Sequence, residues 1–74
     1  MGCSYELFLA VASLQRRSFP GIHLKEITAA LDANGLAEVA HVQSAHIDDY
    51  KMQQGGHASL PQFFLVLQKE LREG

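Results

Sequence analysis

The chain has 74 residues, a length that allows one small domain. A hydrophobic fraction of 47% excludes a disordered tail, and a net charge of −2 argues against a general polyanion binder, which is usually basic. The single cysteine, Cys3, cannot form an internal disulfide, so nothing indicates secretion and the cytoplasm is the expected compartment.

Two features near the N-terminus bear on membranes. Met1-Gly2-Cys3 looks like the start of an acylation signal, but Glu6 stands where such signals carry serine or threonine. The apolar run at residues 7–12 is too short to span a membrane, and it lacks the basic start of a signal peptide. We therefore expect no lipid anchor and no membrane segment.

The first predicted helix covers residues 5–17, with Ser4 as its cap. One face of it carries a regular apolar stripe: Leu7, Val11 and Leu14. Because every residue from 7 to 12 is apolar, we expect this helix to be buried on most sides. Arg16 and Arg17 lie in its last turn, where cations complement the helix dipole or can contact a phosphate.

A second helix is predicted over residues 23–33, after a break at the dipeptide Pro20-Gly21. Its buried face consists of four residues at helical spacing: Leu24, Ile27, Thr28 and Leu31. Gly35 follows its end and is a natural left-handed cap.

A last helix begins near Ser59 and Pro61, because proline suits the first helical position. Its apolar face is broad: Phe63, Phe64, Val66, Leu67 and Leu71. A lone small domain cannot cover such a face easily. We therefore expect a homodimer whose interface contains Phe63, Phe64, Val66 and Leu67.

Between these segments, apolar and small residues at residues 36–50 predict two short helices, at 36–41 and 44–53. The positions that carry the pattern are Leu36, Ala37, Ala40, Val42, Ile47 and Tyr50. This register resembles the helix-turn-helix of phage repressors of the Cro/repressor type. In such a motif the small alanines would let the helices approach, and Val42, Ile47 and Tyr50 would fill the angle between them. His41 stands at the turn, where the family usually carries glycine.

The resemblance implies a small DNA-binding transcriptional regulator. Gln43, Ser44 and His46 would begin the recognition helix and face the base edges. Phosphate contacts would come from three cations: Lys51, Arg16 and Arg17.

Asp48 and Asp49 on the same predicted helix suit phosphate poorly. The alternative is therefore a protein–protein interaction module that binds or inhibits a regulator or a nucleoprotein complex without binding DNA.

No pattern indicates catalysis, a cofactor or a metal. His41 and His46 are five residues apart and do not share a helical face, and no cysteine cluster or His-Glu-x-x-His spacing is present. There is also no phosphate loop and no dinucleotide fingerprint. We expect a protein that is not an enzyme and that needs no cofactor and no metal.

Taken together, the segments predict an all-α fold, a compact bundle of about five short helices that forms a single domain over residues 1–74. The alternative is a small α+β domain. In that fold, residues 5–14, 37–47 and 63–67 would be strands, residues 24–33 the one clear helix, and Gly55-Gly56 a hairpin turn.

Overall fold

A computed structural model describes residues 3–74; Met1 and Gly2, the first two positions of the acylation-like segment, lie outside the described residues. The elements are five α-helices and a 3-10 turn: α1 (Tyr5–Ser18), α2 (Leu24–Ala33), α3 (Val39–Gln43), α4 (Asp49–Met52), the 3-10 turn Gln53–Gly55 and α5 (Leu60–Glu73). Among the described residues none is in a strand and 69% are helical. The all-α prediction is confirmed, and the α+β alternative is wrong.

Helix α1 begins where predicted. The Ser4 hydroxyl accepts a hydrogen bond from the Leu7 N–H at 3.3 Å, and the Ser4 N–H donates to the Ala37 carbonyl at 2.7 Å. The predicted stripe of Leu7, Val11 and Leu14 is fully buried. The expectation that the helix is buried on most sides is wrong, however, because Phe8 and Leu9 are exposed.

Helix α2 lies within one residue of its predicted bounds. A Glu26 carboxylate oxygen accepts a hydrogen bond from the His23 N–H at 3.2 Å, which satisfies a backbone donor at the helix start. At the other end Gly35 has a φ of 68°, and the Leu36 N–H donates to the Leu31 carbonyl at 2.9 Å. This left-handed turn sends the chain back towards α1 and into α3.

Helix α5 supplies the largest side chains of the core and packs against α1, α3 and α4. Phe63 makes edge-to-face contacts with Phe19 and with Phe64, at ring distances of 5.2 and 5.4 Å. Phe63, Phe64 and Leu67 are fully buried within the single chain, and Val66 is half-buried. This corrects the predicted dimer interface, since three of its four residues are not available to a second copy. Self-association itself stays a prediction.

The helix boundaries predicted between residues 36 and 53 are wrong. The first motif helix begins at Val39, so His41 lies inside α3 rather than at a turn. The second does not exist as one helix. Residues 45–48 are not helical, and only α4 and the 3-10 turn follow them. Asp48 explains the late start of α4, because its carboxylate accepts hydrogen bonds from the N–H groups of Tyr50 and Lys51.

The three apolar residues expected to fill the angle between the motif helices have different environments. Val42 is fully buried, as expected. Ile47 is half-buried and packs at the edge of the core. Tyr50 is 80% exposed, so its prediction as a core residue is wrong. The broken second helix is the reason, because Tyr50 and Ile47 no longer share one helical face.

The backbone conformation at Gly35 generates a prediction. Gly35→Ala should lower the free energy of unfolding by about 1–2 kcal/mol, because an L side chain is strained at positive φ. Gly21→Ala is the matched control: Gly21 does not have a positive φ, and a Cβ added there meets no atom within 4 Å. Urea unfolding followed by circular dichroism measures both variants. Equal free energies of unfolding for the Gly35→Ala and Gly21→Ala variants would contradict the left-handed cap at Gly35.

Candidate functional site

Side chains of α5 hold the C-terminal end of α3. Nε2 of the buried Gln68 donates hydrogen bonds to the carbonyls of Val42 at 3.1 Å and Ala45 at 2.7 Å. The Arg72 guanidinium donates to the Gln43 carbonyl through Nε at 3.2 Å and Nη2 at 3.1 Å. These bonds pair the carbonyls of Gln43 and Ala45 at and just beyond the helix end, and they give the Val42 carbonyl a second donor beside the Ala45 N–H. The chain from Gln43 to Ala45 is therefore fixed against α5.

Two of the three residues predicted to face base edges form hydrogen bonds inside the chain. The Gln43 side-chain amide donates to the Leu71 carbonyl at 2.8 Å. The Ser44 hydroxyl donates to the Ala40 carbonyl at 3.0 Å, where it ends α3. His46 is the exception, since it lies in the non-helical segment and is exposed. These three residues thus do not begin a recognition helix.

A cleft of about 320 Å³ lies where the end of α2 meets the α3–α4 connection and α4. Seven residues line it: Asn34, Leu36, Ala45, His46, Asp48, Lys51 and Met52. We call it the α2–α4 cleft. It brings together two of the residues predicted to contact DNA, His46 and Lys51.

The α2–α4 cleft combines an apolar floor with a polar rim. Leu36 and Met52 are 6% and 1% exposed, so they belong to the core and close the bottom of the cleft. Lys51 brings an ammonium group and His46 an imidazole, while the Asp48 carboxylate brings a negative charge. The rim thus carries both a positive and a negative charge, with hydrogen-bond donors and acceptors, around a small apolar surface. Such a surface fits a peptide-like group better than a polyphosphate.

The predicted phosphate contacts are not gathered around this cleft. Arg17 forms an ion pair with Glu70 at 3.1 Å and also donates to the Ser13 hydroxyl at 3.2 Å. Arg16 is exposed at the end of α1. No residue of α1 lines the cleft, so Lys51 is the one predicted phosphate contact that the structure places beside His46.

The sequence patterns single out Leu36, His46, Asp48 and Lys51, but they do not predict the cleft in which these residues meet. Asp48 carried a readable signal, because aspartate is among the strongest helix caps and could have been taken as the start of a helix rather than its interior. Asn34 and Met52 carried none. They meet His46 only because the Gly35 turn and the α5 contacts bring distant segments together.

Within residues 3–74, no three histidine, cysteine, aspartate or glutamate side chains are grouped so that they could hold a metal ion. None of the helices in the same residues has both the length and the apolar character needed to cross a bilayer.

The chain matches no protein-family model, no curated protein and no solved structure. The resemblance to phage-repressor domains therefore stays a prediction from the spacing of apolar residues.

The hydrogen bonds of Gln68 generate a stability prediction. Gln68→Met keeps the length of the side chain, but it leaves the Ala45 carbonyl without a donor and the Val42 carbonyl with only the Ala45 N–H. It should lower the free energy of unfolding by about 1–3 kcal/mol. Gln62→Met on the exposed side of the same helix is the control and should change stability little. Chemical denaturation measures the free energy of unfolding of both variants. An equal loss of stability in Gln68→Met and Gln62→Met would show that Gln68 does not stabilise the end of α3.

Proposed function

We propose that this protein is a small protein–protein interaction module that contacts its partner through the α2–α4 cleft and the exposed Tyr50 on α4. The observation that carries the proposal is the grouping of His46, Asp48 and Lys51 around the apolar floor of the cleft. A partner side chain with an apolar body and a polar end matches this surface. Its body would lie against the apolar lining of the cleft, and its end would meet the charged rim.

The charges near the cleft support a protein partner over DNA. Lys51 is the one lysine that lines the cleft. It lies close in the chain to two carboxylates, those of Asp48, which caps α4, and of Asp49, the first residue of α4. DNA affinity comes largely from cations that neutralise several phosphates, and two adjacent carboxylates oppose that effect. Of the remaining cations, Arg17 and Arg72 already bind groups of the chain itself. DNA binding, the first function predicted from the sequence, therefore has less support from the surface.

Tyr50 supports the same conclusion. It is 80% exposed although it is a large aromatic residue. Tyrosine is common among the residues that dominate binding energy at protein interfaces, because it buries a large rigid ring and keeps a polar tip. The partner class we propose is the one predicted from the sequence as the alternative, a regulator or a protein of a nucleoprotein complex.

A capture experiment tests this proposal. Immobilised wild-type protein should retain a partner from a nuclease-treated extract. Tyr50→Ala should reduce retention by about tenfold or more, and Lys51→Ala should also reduce it. The controls are Leu65→Ala and Lys69→Ala, which remove an exposed apolar and an exposed cationic side chain from α5. A partner lost equally from all four variants would argue against the cleft and Tyr50 as the contact surface.

A gel shift at low salt tests the DNA alternative on the same variants. We expect that neither the wild-type protein nor the Asp48→Asn/Asp49→Asn double variant shifts mixed genomic DNA fragments. Two results would favour DNA binding instead. The logarithm of the wild-type binding constant would fall with the logarithm of salt concentration, at a slope of about −0.9 for each phosphate contacted. Lys51→Ala would weaken binding to all DNA sequences alike.

A further inference from the structure

Helix α1 has a second apolar face, opposite its buried stripe. Tyr5, Phe8, Leu9 and Ala12 follow the spacing i, i+3, i+4, i+7 and therefore lie on one side of the helix. Tyr5 is 75% exposed, Phe8 39% and Leu9 48%, and Ala12 is half-buried. We call these four residues the outer face of α1. No residue of the α2–α4 cleft belongs to it.

Opposite charges stand at the two ends of this outer face. Glu6 lies in the first turn of α1 and Arg16 in the last, and both side chains are exposed. Neither forms an ion pair or a side-chain hydrogen bond with any of residues 3–74, whereas the adjacent Arg17 pairs with Glu70. Along its exposed side, α1 thus carries a carboxylate in its first turn, apolar residues in its middle and, in its last turn, a guanidinium that is unpaired within residues 3–74.

We infer that a second copy of this chain covers the outer face of α1, with the two α1 helices antiparallel about a two-fold axis. In an antiparallel pair the first turn of each α1 lies beside the last turn of the other, so Glu6 of each copy is near Arg16 of the other. A parallel pair would instead place like charges together at both ends. The antiparallel arrangement also opposes the two helix dipoles favourably. The interface is isologous, and each contact occurs twice.

Side-chain size supports the same pairing. With the axis midway between Leu9 and Ala12, the large Leu9 of one copy packs on the small Ala12 of its partner, which lets the helices approach closely. The same register places Arg16 of the partner subunit beside both Glu6 and Tyr5. The guanidinium can then pair with the carboxylate and lie over the aromatic ring.

This inference goes beyond the proposed function and does not depend on it. It also moves the dimer contact predicted from the sequence, from the buried face of α5 to α1. The cleft and the outer face share no residue.

The first test compares two leucines of almost equal exposure, Leu9 at 48% and Leu65 at 47%. Analytical ultracentrifugation of the wild-type chain across the micromolar range should show a concentration-dependent dimer. Leu9→Glu should abolish it, and Leu65→Glu on α5 should leave it unchanged. A wild-type chain that stays monomeric throughout, or a dimer lost with Leu65→Glu and kept with Leu9→Glu, would overturn the inference.

The second test exchanges charges between the ends of α1. Glu6→Arg and Arg16→Glu should each weaken self-association by about tenfold, because each places like charges together at both ends of the interface. An equimolar mixture of the two variants should restore dimers, since both pairs in the mixed dimer are then opposite in sign. Circular dichroism checks that each variant is folded. A mixture that associates no better than the single variants would exclude the antiparallel pairing.

Discussion

The buried side-chain amide of Gln68 is the interaction on which the geometry of the cleft depends. An amide without partners is costly to bury, and so are the carbonyls that a helix end leaves unpaired. Gln68 and the end of α3 satisfy each other, with the Ala45 carbonyl as the nearest acceptor at 2.7 Å. Ala45 also lines the α2–α4 cleft. One wall of the cleft is therefore positioned by a side chain of α5 that does not itself line the cleft.

The long helices could be predicted from the sequence because their signals repeat. In α1 and α5 the apolar residues recur at helical spacing over 14 residues, so one misleading position has little weight. Their ends carry local chemistry that can be read directly, such as the Ser4 cap and Pro61 in the first turn of α5. These features depend on neighbours within a turn of helix, which is the range that sequence patterns describe.

The segment from α3 to α4 could not be predicted in the same way. Its helices have five and four residues, too few for a period to be established. The sequence pattern places Tyr50 in the core because it follows Ile47 by three residues. That spacing has meaning only if both residues lie in one helix. The structure is decided instead by a bond between Gln68 and Val42, 26 residues apart, and by the Asp48 cap. Such a distant partner leaves no local pattern, and the predicted recognition helix is therefore wrong. The assignment of Gln43, Ser44 and His46 to base contacts stays a prediction.

The chain has more apolar surface than its own core can use, and the fold determines where the excess lies. The sequence suggested α5, but α5 contacts three other helices and its phenylalanines are enclosed. Helix α1 packs mainly against α2 and α5, so one face is buried and the opposite apolar face is left outside. Because a small domain buries a limited share of its surface, a helix that is apolar on both sides exposes one of them. Self-association through that face would present two clefts at a fixed spacing, and two weak contacts to a bivalent partner then act as one stronger contact.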